Sequence, residues 1–147
     1  MILISHRGNI NGRNVELENH PSYITRAVEL GYNVEIDVWF KDNAFFLGHD
    51  EPQYSIDLSF LRNKNLWCHA KNLQALDVML KESIHCFWHQ NDDYTITSKG
   101  IIWAYPGKLL NSNSICVMPE LSYDISTMKF NCAGICSDVI ERFNETQ

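Results

Sequence analysis

Short apolar runs rich in β-branched and aromatic residues recur along this chain with helix-type stripes between the early ones. That alternation restricts the fold more than any other feature. Strand signals fall at residues 2–7, 33–40, 44–47, 66–70, 84–88, 101–105, 115–118 and 133–137. Between the first two, Pro21 suits a first helical turn, Tyr23, Ile24, Ala27, Val28 and Leu30 form an apolar stripe, and Gly31 suits the stop. Residues 57–62 predict a short helix. Asn72 can cap a further one carrying Leu73, Leu76, Met79 and Leu80 on one side, and a last short helix carries Leu121, Ile125 and Met128. Lys41-Asp42-Asn43 turns the second strand into residues 44–47 as a hairpin excursion, while 90–100 and 107–114 read as loops. The pattern predicts an α/β fold with a mainly parallel sheet.

At 147 residues with 45 % hydrophobic and 12 % aromatic content, the chain suffices for one domain, residues 1–147, with a real core. No run approaches the roughly 18 apolar residues of a membrane span. The start, Met1 to His6, lacks a basic leader region and enters the first strand directly, so no signal peptide is expected. Cys68, Cys86, Cys116, Cys132 and Cys136 form no paired zinc pattern and read as reduced core residues of a cytoplasmic protein. Net charge is −6 with no lysine or arginine cluster, which argues against nucleic acid and against a polybasic membrane patch. A small soluble ligand fits better.

Three strands end in chemistry: His6-Arg7-Gly8, Glu35-Ile36-Asp37 and Gly48-His49-Asp50. Alternate residues of a strand share a face, so Glu35 and Asp37 point together while Ile36 and Val38 point away to pack on helices. Two buried acids need a cation or donors, whereas an outward-facing edge strand would leave them solvated. Imidazoles suit proton transfer, a guanidinium suits a phosphoryl oxygen, and paired carboxylates suit Mg²⁺, Mn²⁺ or Ca²⁺. That set can cleave a phosphodiester. Gly8 would let the backbone approach a ligand closely. Trp103 and Tyr105, also at a strand end, are either core packing or a platform for a sugar or polyol.

In order and spacing these fragments resemble the glycerophosphodiester phosphodiesterases, within the group that includes phosphatidylinositol-specific phospholipase C. The match runs through His6-Arg7-Gly8, Leu17-Glu18-Asn19 (without the family's proline), Glu35-Ile36-Asp37-Val38, Lys41-Asp42-Asn43 and His49-Asp50. A weaker echo covers Ala70-Lys71 and Gly134 to Asp138. The resemblance implies acid/base work by His6 and His49, phosphate binding by Arg7 and Lys71, and metal binding by Glu35 and Asp37. It also implies supporting roles for Glu18, Asp50 and Asp138, and attack by an internal hydroxyl through a cyclic phosphate. The implied fold is a (β/α)₈ barrel, but 147 residues leave roughly 18 per unit, too few for eight helical crossovers. The expectation is a shortened TIM-type barrel of seven or eight parallel strands, with several helices lost in the second half. A homo-oligomer would cover the apolar faces so exposed.

The family carries Glu-x-Lys on its third strand where this chain reads His69-Ala70-Lys71. His69 as a ligand would shift preference toward Mn²⁺ or Zn²⁺. Alternatively His69 binds substrate, and Asp92, Asp93 or Glu120 supplies the missing oxygen. The expected function is metal-dependent hydrolysis of a small glycerol- or polyol-type phosphodiester. The alternatives are a weakly active or inactive barrel that binds a phosphorylated ligand, and phospholipase D-like lyase transfer on a lipid headgroup. Removal of either Glu35 or Asp37 is expected to leave the fold intact by relieving like-charge repulsion.

Overall fold

The computed structural model describes residues 1–127 and 129–146. The elements, in chain order, are β1 (Ile2–His6), α1 (Pro21–Glu29), β2 (Asn33–Lys41), β3 (Ala44–Leu47), β4 (Tyr54–Ile56), α2 (Leu58–Leu61), β5 (Leu66–Ala70), α3 (Leu73–Lys81), β6 (Cys86–Phe87), β7 (Tyr94–Ile96), β8 (Ile102–Ala104), β9 (Ser114–Val117) and β10 (Gly134–Ser137). Two 3₁₀ segments, Pro119–Leu121 and Ile140–Thr146, flank β10.

Seven strands run parallel in the order β6-β5-β2-β1-β10-β9-β8. β3 pairs antiparallel with β2 as the expected hairpin excursion, and two further antiparallel pairs, β4 with β3 and β7 with β8, make the sheet mixed where a parallel TIM-type barrel was expected. The nine residues of β2 explain the first of these. Its beginning pairs with β1, its middle with β5, and its last four residues run past both to carry the hairpin. The β7–β8 pair follows from residues 90–100, which contain β7 instead of forming only a loop.

The sheet curls. Its two flanks meet through Ser98, whose N–H donates to the Cys86 carbonyl (2.8 Å), and through Thr95, whose hydroxyl donates to the Trp88 carbonyl (2.8 Å). Inside the curl, Ile4, Trp67, Phe87, Trp103, Ile115, Val117 and Cys136 form one core drawn from six strands. Phe87 and Trp103 rings lie 4.6 Å apart across it, so aromatic bulk fills the space the short strands enclose. Outside, Val34, Ile36, Val38, Cys68 and Ala70 pack with Ile24, Ala27, Ala75 and Met79 from α1 and α3. Cys116 and Ile135 are covered instead by Ile140 and Phe143. Among the described residues no α-helix follows Lys81, and this 3₁₀ cover stands where helices would otherwise lie. The protein is thus a mixed α/β domain with a curled sheet and few helices.

Local signals explain the helices. Pro21 opens α1 behind the His20 cap, and the Asn72 side chain accepts from the Ala75 N–H. The predicted apolar stripes are too wide: Leu30, Leu73 and Leu80 are exposed, and burial rests on Ile24, Ala27, Ala75 and Met79. The predicted last helix is only the 3₁₀ turn Pro119–Leu121; Ile125 lies beyond it, and Met128 lies outside the described residues. Four cysteines are buried, Cys132 is half-buried, and all five are free thiols.

Candidate functional site

The parallel strands bring their C-terminal ends to one rim, and the register sets His6 beside Glu35 and Asp37 beside His69. Alternation turns Glu35 and Asp37 inward, 2 % and 0 % exposed, while Ile36 and Val38 enter the outer core. The acids are therefore not on a solvated edge. His49 follows β3, held by the Trp39 indole N–H donating to the Gly48 carbonyl (2.7 Å) and the Gly48 N–H donating to that of Asp37 (3.2 Å). Gly48 is required there: at φ +152° a Cβ would collide with the Glu51 carbonyl. Gly8 is required by packing: at φ +94° a Cβ there would lie 2.6 Å from the Tyr23 ring.

A cleft of about 370 Å³ lies over this rim. His6, Arg7, Glu35, His49, His69 and Lys71 form its polar side, and Trp103, Tyr105, Val117, Met118 and Leu121 its apolar side; His89 also lines it. Ligand atoms of Glu35, Asp37 and His69 all lie within 4.8 Å of one another. Glu35 Oε2 is buried without a hydrogen-bond partner, and Asp37 Oδ1 is buried with only the longer ion-pair contacts to His69 Nδ1 (3.3 Å) and Lys71 Nζ (3.5 Å). Under-satisfied carboxylate oxygens beside an imidazole are what a divalent cation satisfies, so this donor set fits one.

Partners settle which nitrogen of each histidine carries the proton. Asp138 lies 2.7 Å from His6 Nδ1. The carboxylate accepts, so Nδ1–H donates and Nε2 faces Glu35 at 3.8 Å. The Arg7 guanidinium can only donate, so its 2.6 Å contact makes His49 Nδ1 an acceptor and leaves the hydrogen on Nε2. Asp37 Oδ2, 3.3 Å from the same nitrogen, is then an electrostatic neighbour. His69 Nε2–H donates to the His89 carbonyl at 2.8 Å and its ring stacks on Phe87 at 5.1 Å, aiming Nδ1 at Asp37 (3.3 Å) and Glu35 (3.7 Å).

Charge is concentrated here. Burial opposes ionisation of Asp37, but the His69 imidazole and the Arg7 guanidinium (2.9 Å) outweigh it and hold the carboxyl well below its usual range. Burial would likewise lower His69, yet Asp37 and Glu35 raise it to about 9. His6 is raised against its own burial by the Asp138 hydrogen bond and the Glu35 charge. Burial also opposes ionisation of Asp138, which His6 and Asn9 nevertheless keep low. Lys71 Nζ stands 3.5 Å from Asp37.

Glu18 joins the network through Arg7 (3.2 Å), Asn9 (3.0 Å) and Arg13 (2.9 Å). Asp50 does not: it is 93 % exposed and only approaches His49 at 3.7 Å. Asp93 pairs with Lys108 outside the cluster, and Asp92 is exposed. Glu120 accepts from the Ser137 hydroxyl and the Asp138 N–H, bracing the strand end instead of facing the acids. Trp103 is a core residue at 4 % exposure, whereas Tyr105 is exposed at the rim.

Sequence reasoning overlooked three site residues. Asn19 exchanges two hydrogen bonds with Asp37 (2.8 and 2.9 Å), and Asn9 bridges Glu18 and Asp138 (3.0 and 2.8 Å). His89, third in Phe87-Trp88-His89, follows a strand end as His6 and His49 do. Asn19 and Arg7 both have left-handed backbones, φ 62° and 55°, with the Asn19 N–H donating to the Arg7 carbonyl at 3.1 Å. Such strained residues gather at functional sites. Asn19 tolerates that conformation well, which is the one local signal that could have flagged it.

No family model matches the chain, and neither a curated protein nor a solved structure does. Among the described residues no helix is long and apolar enough to cross a membrane.

Proposed function

We propose that this chain is a divalent-cation-dependent phosphodiesterase acting on a small glycerol- or polyol-type phosphodiester. It is read as a short relative of the glycerophosphodiester phosphodiesterases, on an abbreviated (β/α) barrel in a cytoplasmic setting. The observation that carries the reading is the Glu35, Asp37 and His69 cluster within 4.8 Å, with His6 and His49 lining the same cleft. Two carboxylates and an imidazole suit Mg²⁺, Mn²⁺ or Ca²⁺, and the imidazole moves preference toward Mn²⁺ or Zn²⁺. When bound, the cation would polarise the phosphate and a substrate hydroxyl.

His6, its Nδ1–H held by Asp138, presents Nε2 as the base that takes the attacking hydroxyl's proton. His49 acts as the acid in its imidazolium form, giving up one N–H to the leaving alcohol, with the Nδ1–H directed at Asp37 Oδ2 (3.3 Å) once the Arg7 guanidinium turns to the phosphoryl oxygens. Arg7 and Lys71 offset charge building on the phosphoryl oxygens. A second reading, a barrel that binds a phosphorylated ligand without turnover, is favoured by one observation. The Arg7 guanidinium is already engaged by Asp37, Glu18 and His49.

The test is release of free alcohol from a panel of glycerophosphodiesters with Mn²⁺, Mg²⁺, Ca²⁺ or Zn²⁺. Cation-dependent hydrolysis that chelator removes is expected. His6→Asn or His49→Asn should lower turnover by at least ~10²-fold with little change in affinity. Metal-induced stabilisation with no turnover across the panel would move the binding reading ahead.

A further inference from the structure

We propose that His89 reads a free hydroxyl on the alcohol side of the ligand, making it a specificity-determining residue of the cleft; this rests on the phosphodiesterase reading above. Both His89 ring nitrogens are buried and neither has a hydrogen-bond partner. An unpaired buried polar atom is costly, and here one ring carries two. The other imidazoles of the cleft, His6, His49 and His69, all have at least one nitrogen engaged. His89 has none, although it lines the same cleft.

Its place in the fold defines the partner it lacks. The His89 main-chain carbonyl holds His69, so the residue is anchored through its backbone and the side chain is left for another task. The ring stands 5.1 Å from that of Tyr105 and 6.4 Å from that of His69, at the junction of the charged and aromatic sides of the cleft. The cations that suit phosphate, Arg7 and Lys71, cluster around Asp37. A neutral imidazole beside an aromatic ring offers one donor and one acceptor, and a hydroxyl group offers the same pair in reverse. A hydroxyl can pair with whichever nitrogen it meets, donor or acceptor, whereas an anion suits only the donor and a hydrocarbon neither.

The test is calorimetric binding at pH 8 with Mn²⁺ present, comparing glycerol 3-phosphate with propyl phosphate, which lacks the hydroxyls. Wild type should bind the glycerol ester about tenfold more tightly. His89→Phe, which keeps a ring against Tyr105 and the backbone carbonyl on His69, should lower the ratio severalfold, any remainder being the hydroxyl's contact with the cation. His89→Gln, which can still donate and accept, should retain part of it. Mn²⁺ affinity should be unchanged in both variants, showing that His69 remains in place. Equal binding of the two esters by wild type, or an unchanged ratio in His89→Phe, would overturn the role of His89 alone. Binding of neither ester by wild type would overturn both this inference and the phosphodiesterase reading.

Discussion

Glu35 and Asp37 stand two residues apart on one strand, yet their surroundings make them unequal. Asp37 is met by Arg7, Asn19 and Lys71, whereas Glu35 has only imidazoles nearby at 3.7 and 3.8 Å. Like-charge relief therefore applies to Glu35 and not to Asp37. Glu35→Ala should leave the metal-free melting temperature unchanged or higher. Asp37→Ala leaves the buried Arg7 guanidinium with Glu18 alone among its carboxylates and unpairs Asn19, and should lower stability by about 1–3 kcal/mol in urea denaturation. Both should lose metal-induced stabilisation. At His69, Glu substitution should move preference from Mn²⁺ or Zn²⁺ toward Mg²⁺ or Ca²⁺, and Ala should weaken all of them. Identical affinities in wild type and both variants, by metal titration, would exclude His69 as a ligand. The acids and imidazoles were legible because period-two alternation sets their faces. Asn19 and Asn9 were not, since their partners are 18 and 129 residues away.

At the scale of elements, β5 and β6 bury a group whose titration can be followed. His85, just before β6, is 7 % exposed with its ring 4.3 Å from Trp67. Burial, aided by the Lys99 charge, pushes its imidazole down to about 4. The folded pKa lies below the unfolded value near 6.5, so the unfolded chain binds the extra proton between them. Stability is full above about pH 6.5 and falls as pH drops toward 4. Between pH 7 and 5, His85→Phe should lose on the order of 1 kcal/mol less than wild type by urea denaturation. Caps and turn residues, Pro21 and Asn72 among them, marked the helices from neighbours alone. The span of β7 was hidden because Tyr94–Ile96 is short and gains strand geometry only by pairing with β8.

For the whole molecule, the decisive contact joins the two ends of the chain. β10 lies between β1 and β9, bringing Asp138 to His6 across 132 positions. A chain ending before Ala133 would strip partners from both strands and expose Ile4 and Ile115. It should lack a cooperative unfolding transition by circular dichroism. The sequence by itself determined the alternating elements, the inward face of Glu35 and Asp37, and the strand-end placement of His6, His49 and His69. These follow from local periodicity and turn chemistry. Only the tertiary structure decided the antiparallel excursions, the curl around Trp67, Phe87 and Trp103, and the proton positions on the histidines. Those depend on which distant strands pair and how much volume their side chains must fill, neither of which is encoded in any one segment.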